Sequence, residues 1–255
     1  MKTGIVLSGG GARGVAHLGF LKALAEWGIK PDYLAGVSAG SIVAALIAND
    51  YSPDEVLKIL KTHTILRYFR FSFRRGGILS MNDTKKLLTK YLHKKTFEEL
   101  SIPTYIIATN IENGEETCFY RGDKLIDAVI ASSSIPFIFQ PYEIDDTFYL
   151  DGGIVNNFPA EYLSYQCDVI IGSYVNPFAK LTGKMTFFET MERTFHLAIY
   201  SKNKERMKMC NFVLEPHKLV GYSIYDIRKV DEIFEIGYQS TVKNKTAILK
   251  VFDKA

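Results

Sequence analysis

Cysteine is scarce in this chain: Cys118, Cys167 and Cys210 are the only three thiols, odd in number and widely spaced. That excludes a disulfide framework and offers no pair at metal-ligand spacing, so all three are expected to be buried and reduced. An excess of charge of one sign is lacking too, since 31 basic against 28 acidic residues leave a net charge of only +3. So weak a field argues against nucleic acid as partner, although local patches can still meet an anionic membrane surface. No run approaches the about 18 uninterrupted apolar residues that a membrane-spanning helix needs. Met1-Lys2-Thr3 passes straight into an apolar run and glycines, which leaves no room for a signal peptide. A soluble cytoplasmic protein is therefore expected. Internal repeats, low-complexity tracts and linker-like composition are missing as well. The 255 residues, 47% of them apolar, are expected to form a single domain with a sizeable core.

What is present reads as alternating strands and helices. Gly4-Ile5-Val6-Leu7 is a short apolar run ended by Ser8 and three glycines, the pattern of a strand buried on both faces. Leu18, Leu21, Leu24 and Ala25 then recur at helical spacing until Gly28 and Pro31 supply a stop. Tyr33-Leu34-Ala35 and an apolar helix over 41–48 repeat the unit, and two consecutive βα units predict a parallel sheet with right-handed crossovers. Ser52-Pro53-Asp54-Glu55 is a helix start, and Asn82-Asp83 begins another. Strand-like runs at 104–111 and 116–120 flank Asn113-Gly114, a hairpin signal. A helix is predicted at 125–131, short strands at 148–150 and 169–173, and a mostly helical remainder from about 186 with a strand near 212–214.

The most specific local signal is Gly36-Val37-Ser38-Ala39-Gly40, a GxSxG pattern between a predicted strand and helix. A nucleophile on so tight a turn needs glycine two residues to either side, where side chains would collide with the backbone. A helix N-terminus behind the serine also favours developing negative charge. The plainer alternative is a small-residue turn that lets a helix pack closely on a strand.

Ser8-Gly9-Gly10-Gly11-Ala12-Arg13-Gly14 admits two functional readings. Gly9, Gly11 and Gly14 match the dinucleotide fingerprint GxGxxG, while the three adjacent glycines offer unobstructed amides for an oxyanion hole. The dinucleotide reading wants an acidic residue at the end of the second strand, where this sequence has Gly36 and Ser38; Asp32 lies before that strand. No Gly-Lys-Ser/Thr follows the glycines, so they are not a Walker loop either. The oxyanion reading is preferred.

A serine nucleophile needs a base. His17, His63, His93 and His196 fall in or near predicted helices, and only His217, after Pro216, sits where a Ser/Asp/His order wants one. Asp151, at the end of a short strand and followed by Gly152 and Gly153, is the better candidate. A carboxylate of ordinary pKa near 3.9 is a weak base, so it needs a water-poor site and backbone N–H groups to orient it. The alternative is a turn aspartate bonding its own backbone.

Together and in this order the three motifs resemble those of the patatin-like phospholipase family. The resemblance implies an α/β three-layer sandwich with a central, mainly parallel sheet flanked by helices, and a lipid acyl hydrolase with neither metal nor organic cofactor. It implies Ser38 within the Gly36–Gly40 elbow as nucleophile, Asp151 of the Asp-Gly152-Gly153 motif as its base, and Gly9, Gly10, Gly11, Arg13 and Gly14 as the oxyanion hole. Ala131-Ser132-Ser133-Ser134-Ile135-Pro136 is similar to the family's small-residue segment before a proline. The motif-bearing core covers about 1–175; from about 186 no diagnostic motif stands out. The implied partner is a lipid or acyl-ester substrate, phospholipid or lysophospholipid, rather than nucleic acid.

Peripheral membrane contact is suggested by residues 66–77, where aromatics interleave with Arg67, Arg70, Arg74 and Arg75 and two glycines would let the segment act as a lid. A packed connection with solvated arginines explains it equally well. Lys202, Lys204, Arg206 and Lys208 are expected to be solvated on a helix surface. The remaining alternatives are a dinucleotide-binding protein and a weakly active lipid-binding module of the same fold.

Overall fold

The computed structural model describes residues 1–62, 81–178 and 185–253. His63 and the aromatic–arginine stretch at 66–77 lie outside the described residues. Eight strands form one mixed sheet: β1 (Thr3–Leu7), β2 (Tyr33–Val37), β3 (Thr104–Asn110), β4 (Glu116–Phe119), β5 (Tyr142–Ile144), β6 (Thr147–Asp151), β7 (Val169–Ser173) and β8 (Phe212–Leu214). β8, β7, β1, β2 and β3 lie side by side and all parallel. β4, β5 and β6 supply the antiparallel pairs.

The central strands are buried on both faces, as expected where helices cover a parallel sheet. Alternation divides each strand between two cores. Ile5, Leu7, Leu34, Val169 and Ile171 point into the larger core, and Val6, Ala35 and Ile170 into the other, with Phe158 and Leu163. The larger core is roofed by α1 (Ala16–Glu26), α2 (Ala39–Ala48), α3 (Pro53–Thr62), α4 (Asn82–Tyr91) and α5 (Leu125–Ser132). On the opposite face, segment 156–167 does most of the covering with 3₁₀ turns. The end of α6 (Phe187–Met207) joins it through Met207.

The C-terminal helices α7 (Val230–Lys243) and α8 (Lys245–Phe252) return to the first core. α7 crosses α1 at two glycines: a Cβ on Gly19 would stand 2.2 Å from Phe234 O, and one on Gly237 2.1 Å from Ala16 O. Arg206 does not match the solvated face expected for it. Its Nε donates to Glu161 Oε1 at 2.8 Å and Nη2 lies 3.4 Å from Glu116 Oε2, because the segment covering the second face brings Glu161 against α6.

The Asn113-Gly114 hairpin forms as read, with Gly114 at φ 74. Two features escape the sequence. The first turn after the glycines is 3₁₀ (Gly11–Val15), and β5 pairs with β6 across Asp145 and Asp146, both at positive φ.

Candidate active site

β2 ends at Val37 and α2 begins at Ala39, which leaves Ser38 alone at the corner with φ 52 and ψ −124. A side-chain-bearing residue there is strained by about 1–3 kcal/mol and persists only if its surroundings over-determine it. They do. The Ser38 N–H donates to Ser132 Oγ at 2.9 Å, and Ser38 O accepts from Ser41 Oγ at 2.6 Å and Ser133 Oγ at 3.3 Å. The flanking glycines answer to close approach: a Cβ on Gly36 would lie 2.6 Å from Gly40 O, and one on Gly40 2.3 Å from Leu7 O.

Asp151 reaches this corner by a route the sequence does not suggest. β6 runs antiparallel to β3, so the carboxyl end of a parallel strand is not what brings Asp151 to the serine. Ile107 pairs with Val37 and Cys118, while Ala108, one residue on, pairs with Asp151 and Thr117. With β4 on the other edge, β2 and β6 must share one edge of β3 and meet end to end. Ser38 Oγ donates to Asp151 Oδ2 at 2.6 Å, and the Gly153 N–H donates to Oδ1 at 2.8 Å. Gly152 packs where a Cβ would stand 2.2 Å from Ile107 O. Ser38 is 5% and Asp151 7% exposed. Burial pushes the Asp151 carboxyl up to about 6, against the opposing pull of the bonds from Ser38 and Gly153.

The glycine loop passes beside the serine: a Cβ on Gly9 would lie 3.0 Å from Ser38 Cβ, and one on Gly14 2.5 Å from Ala39 Cβ. The Gly9 N–H donates to Asn157 Oδ1 at 3.0 Å, and Gly9 O accepts from Asn176 Nδ2 at 2.6 Å. Among the described residues no hydrogen bond takes the N–H of Gly10, Gly11 or Ala39. Arg13 is buried and turned toward the C-terminal segment, with Nε donating to Tyr222 O at 2.7 Å and Nη1 to Asn176 Oδ1 at 3.2 Å.

That segment also decides against a dinucleotide. The Ala12 N–H, which a pyrophosphate would need, donates to Ile224 O at 2.8 Å, and a Cβ on Gly11 would lie 2.5 Å from that same oxygen. Asp32 is spent at the opposite end of the sheet, accepting the Thr3 N–H at 2.7 Å.

No described hydrogen bond joins a histidine to Ser38 or Asp151. His17 is buried beneath the loop between Ser173 Oγ and Ser8 O, both at 2.8 Å, and burial lowers its pKa to about 4, so it is neutral. His93 meets Tyr51 Oη at 2.9 Å, and His217 is exposed at the start of a 3₁₀ turn. The His196 side chain lies outside the described residues. The three cysteines are partly buried, and burial raises each thiol pKa, which keeps them protonated at neutral pH. Among the described residues no three metal-ligating side chains converge. Beside Ser38 opens a cleft walled by Val15, Ile42, Val43, Leu60, Ile135, Ile224 and Ile227. It is an apolar space with a polar corner, the form of a small-molecule site.

The profile of the family described as Patatin-like phospholipase matches residues 5–164. The chain belongs to the patatin-like phospholipase family. An uncharacterized NTE family protein of Mycobacterium tuberculosis is 33% identical over 160 residues, covering 62% of this chain and 44% of that protein. Lysophospholipase NTE1 of Kluyveromyces lactis is 26% identical, covering 92% of this chain and 18% of the relative. The chain thus spans less than half the length of either. In the fold it is similar to human GIVD cytosolic phospholipase A2, solved with methyl gamma-linolenyl fluorophosphonate. That likeness has a TM-score of 0.56 and 12% identity, and covers 99% of this chain and 59% of the other. Several groups that build the site lie beyond the matched segment: Asn176, Tyr222 and Ile224. Asn157, inside it, follows Asp151-Gly152-Gly153 closely enough in sequence to have been suspected.

Proposed function

We propose that the protein hydrolyses carboxylic ester bonds of lipids through a Ser38/Asp151 dyad and an acyl-enzyme. The hydrogen bond from Ser38 Oγ to Asp151 Oδ2 at 2.6 Å carries this reading. Asp151 takes the serine proton as Oγ attacks the ester carbonyl carbon, and the raised carboxyl pKa makes it a stronger base than an exposed aspartate. The N–H groups of Gly10 and Gly11, with Ala39, receive the tetrahedral oxyanion. Collapse expels the alcohol, which leaves with the proton held by Asp151, and the acyl group stays on Ser38. Water, deprotonated by the same carboxylate, then releases the fatty acid and restores Ser38.

The apolar cavity wall supports an acyl chain as the group bound beside the serine. Phospholipids and lysophospholipids are the substrates proposed, in keeping with the name of the yeast relative. We place the reaction at a cytoplasmic membrane surface: Phe137 is 72% exposed two residues from Ile135, which lines the cavity. No helix among the described residues is long and apolar enough to cross a membrane. The chain is taken to act as one domain, because its C-terminal segment closes the glycine loop through Tyr222 and Ile224.

The test is turnover of p-nitrophenyl acyl esters and lysophosphatidylcholine together with fluorophosphonate labelling. A single adduct on Ser38, and no turnover in folded Ser38→Ala, is the expected result. A folded, unlabelled wild-type protein would leave a lipid-binding module in place of the enzyme.

A further inference from the structure

The Gly9–Gly10 peptide is gripped from its carbonyl side. Gly9 O accepts from Asn176 Nδ2 at 2.6 Å and from Ser8 Oγ at 3.0 Å, and no peptide bond among the described residues is cis. In a trans peptide the N–H points opposite to the C=O of the preceding residue. Holding Gly9 O therefore directs the Gly10 N–H away from Asn176 and Ser8. Glycine on both sides of a peptide leaves it free to rotate unless something else fixes it.

Asn176 is buried and its amide has one permitted orientation. Arg13 Nη1 can only donate and lies 3.2 Å from Oδ1, whereas Gly9 O can only accept, so Nδ2 must face Gly9. Arg13 is seated in turn by its Nε bond to Tyr222 O at 2.7 Å. The order of support runs from the C-terminal segment to Arg13, to Asn176, to the glycine peptide.

We infer that Asn176, oriented by Arg13, is a positioning residue that aims the Gly10 N–H at the developing oxyanion. The geometric claim stands on these bonds alone; its catalytic consequence rests on the acyl-hydrolase reading. Arg13 acts on the oxyanion through this relay, with its Nη1 bond to Asn176 Oδ1 orienting the amide that grips Gly9 O.

The decisive variant is Asn176→Asp, which keeps the size and the acceptor for Arg13 but replaces the donor to Gly9 O by a carboxylate oxygen. Two acceptors then face each other, and the peptide gains by turning its Gly10 N–H toward the carboxylate. Asn176→Ala merely frees the peptide. Expected for Asn176→Asp is a fall in kcat of about 100-fold or more, with KM changed by less than about twofold. Asn176→Ala should lose less, and Arg13→Lys, which cannot hold both acceptors in a fork, should fall between wild type and Asn176→Ala. A crystal structure of the Asn176→Asp protein should show Gly9 O turned away from residue 176. An unturned peptide there, a kcat within threefold of wild type, or a loss confined to KM overturns the inference. If Asn176→Asp does not fold, Asn176→Ala is put to the same measurements, with a freed or alternate Gly9–Gly10 peptide as the expected structure. If the wild-type protein cleaves no ester, the acyl-hydrolase reading fails instead, and the peptide orientation still decides the positioning claim.

Discussion

The corners that carry Ser38 and Asp151 hold their side chains at different cost. Ser38 is held by backbone: φ 52, a serine cluster on its N–H and C=O, and glycines at 36 and 40 through which neighbouring chain passes within contact. Asp151 sits in ordinary backbone, φ −48 and ψ 127, and its cost is electrostatic, a carboxylate out of water with two donors. Strain at one corner and desolvation at the other teach that the proposed serine–aspartate pair is held by two independent reservoirs, so relieving each should leave separate signatures.

The largest effect expected is on turnover. Ser38→Ala and Asp151→Asn should each lose about 10⁴-fold in kcat for a p-nitrophenyl ester, judging from the loss of members of other catalytic constellations. Stability then separates the corners. A carboxyl raised to about 6 contributes stability that is full below its unfolded value near 3.8 and lost as pH rises through 6. Asp151→Asn should therefore raise the melting temperature at pH 7, by at most about 3 kcal/mol in unfolding free energy, with the gain vanishing near pH 4. A neutral-pH melting temperature unchanged or lowered by Asp151→Asn would remove the electrostatic half of the comparison.

Next in size is the backbone corner. Gly40→Ala should cost about 1–3 kcal/mol in urea unfolding because its Cβ meets Leu7 O at 2.3 Å. Ser38→Gly should exceed Ser38→Ala in stability by about 1 kcal/mol, since only glycine relaxes at φ 52. Equal stabilities for those two variants would mean that the corner stores no strain. A gentler probe is the pH profile. kcat/KM should fall tenfold per unit below a limb near pH 6 as Asp151 takes up its proton, and the loss of thermal stability with rising pH through the same range should be absent from Asp151→Asn. The smallest effect belongs to His217→Ala, which should leave kcat/KM within about twofold; a large loss would reinstate an imidazole base.

Much of the first corner was legible in the sequence because its determinants are local. A strand, a GxSxG pattern and an apolar helix specify where Ser38 stands, and glycines at 36 and 40 are required by steric contact within that same unit or with the adjoining strand. Asp151 was legible by type, as an acid before Gly152 and Gly153, yet not by path. Its strand reaches the serine antiparallel to β3, paired with a three-residue partner, Tyr142–Ile144, too short to leave a period in the sequence. Arg206 was misread because spacing along one helix says nothing of Glu116 and Glu161, which meet it from distant segments.

By itself the sequence determined the short-range geometry: buried strands, the two glycine-bearing turns, and the residue types able to act as nucleophile and base, since each follows from the steric and hydrogen-bonding limits of a few consecutive residues. Only the tertiary structure decided that β2 and β6 meet end to end on one edge of β3. It alone decided that Asn176, Tyr222 and Ile224 close the glycine loop from parts of the chain that carry no motif. Those contacts depend on which surfaces the packed sheet and helices bring together, and that is a property of the whole buried core.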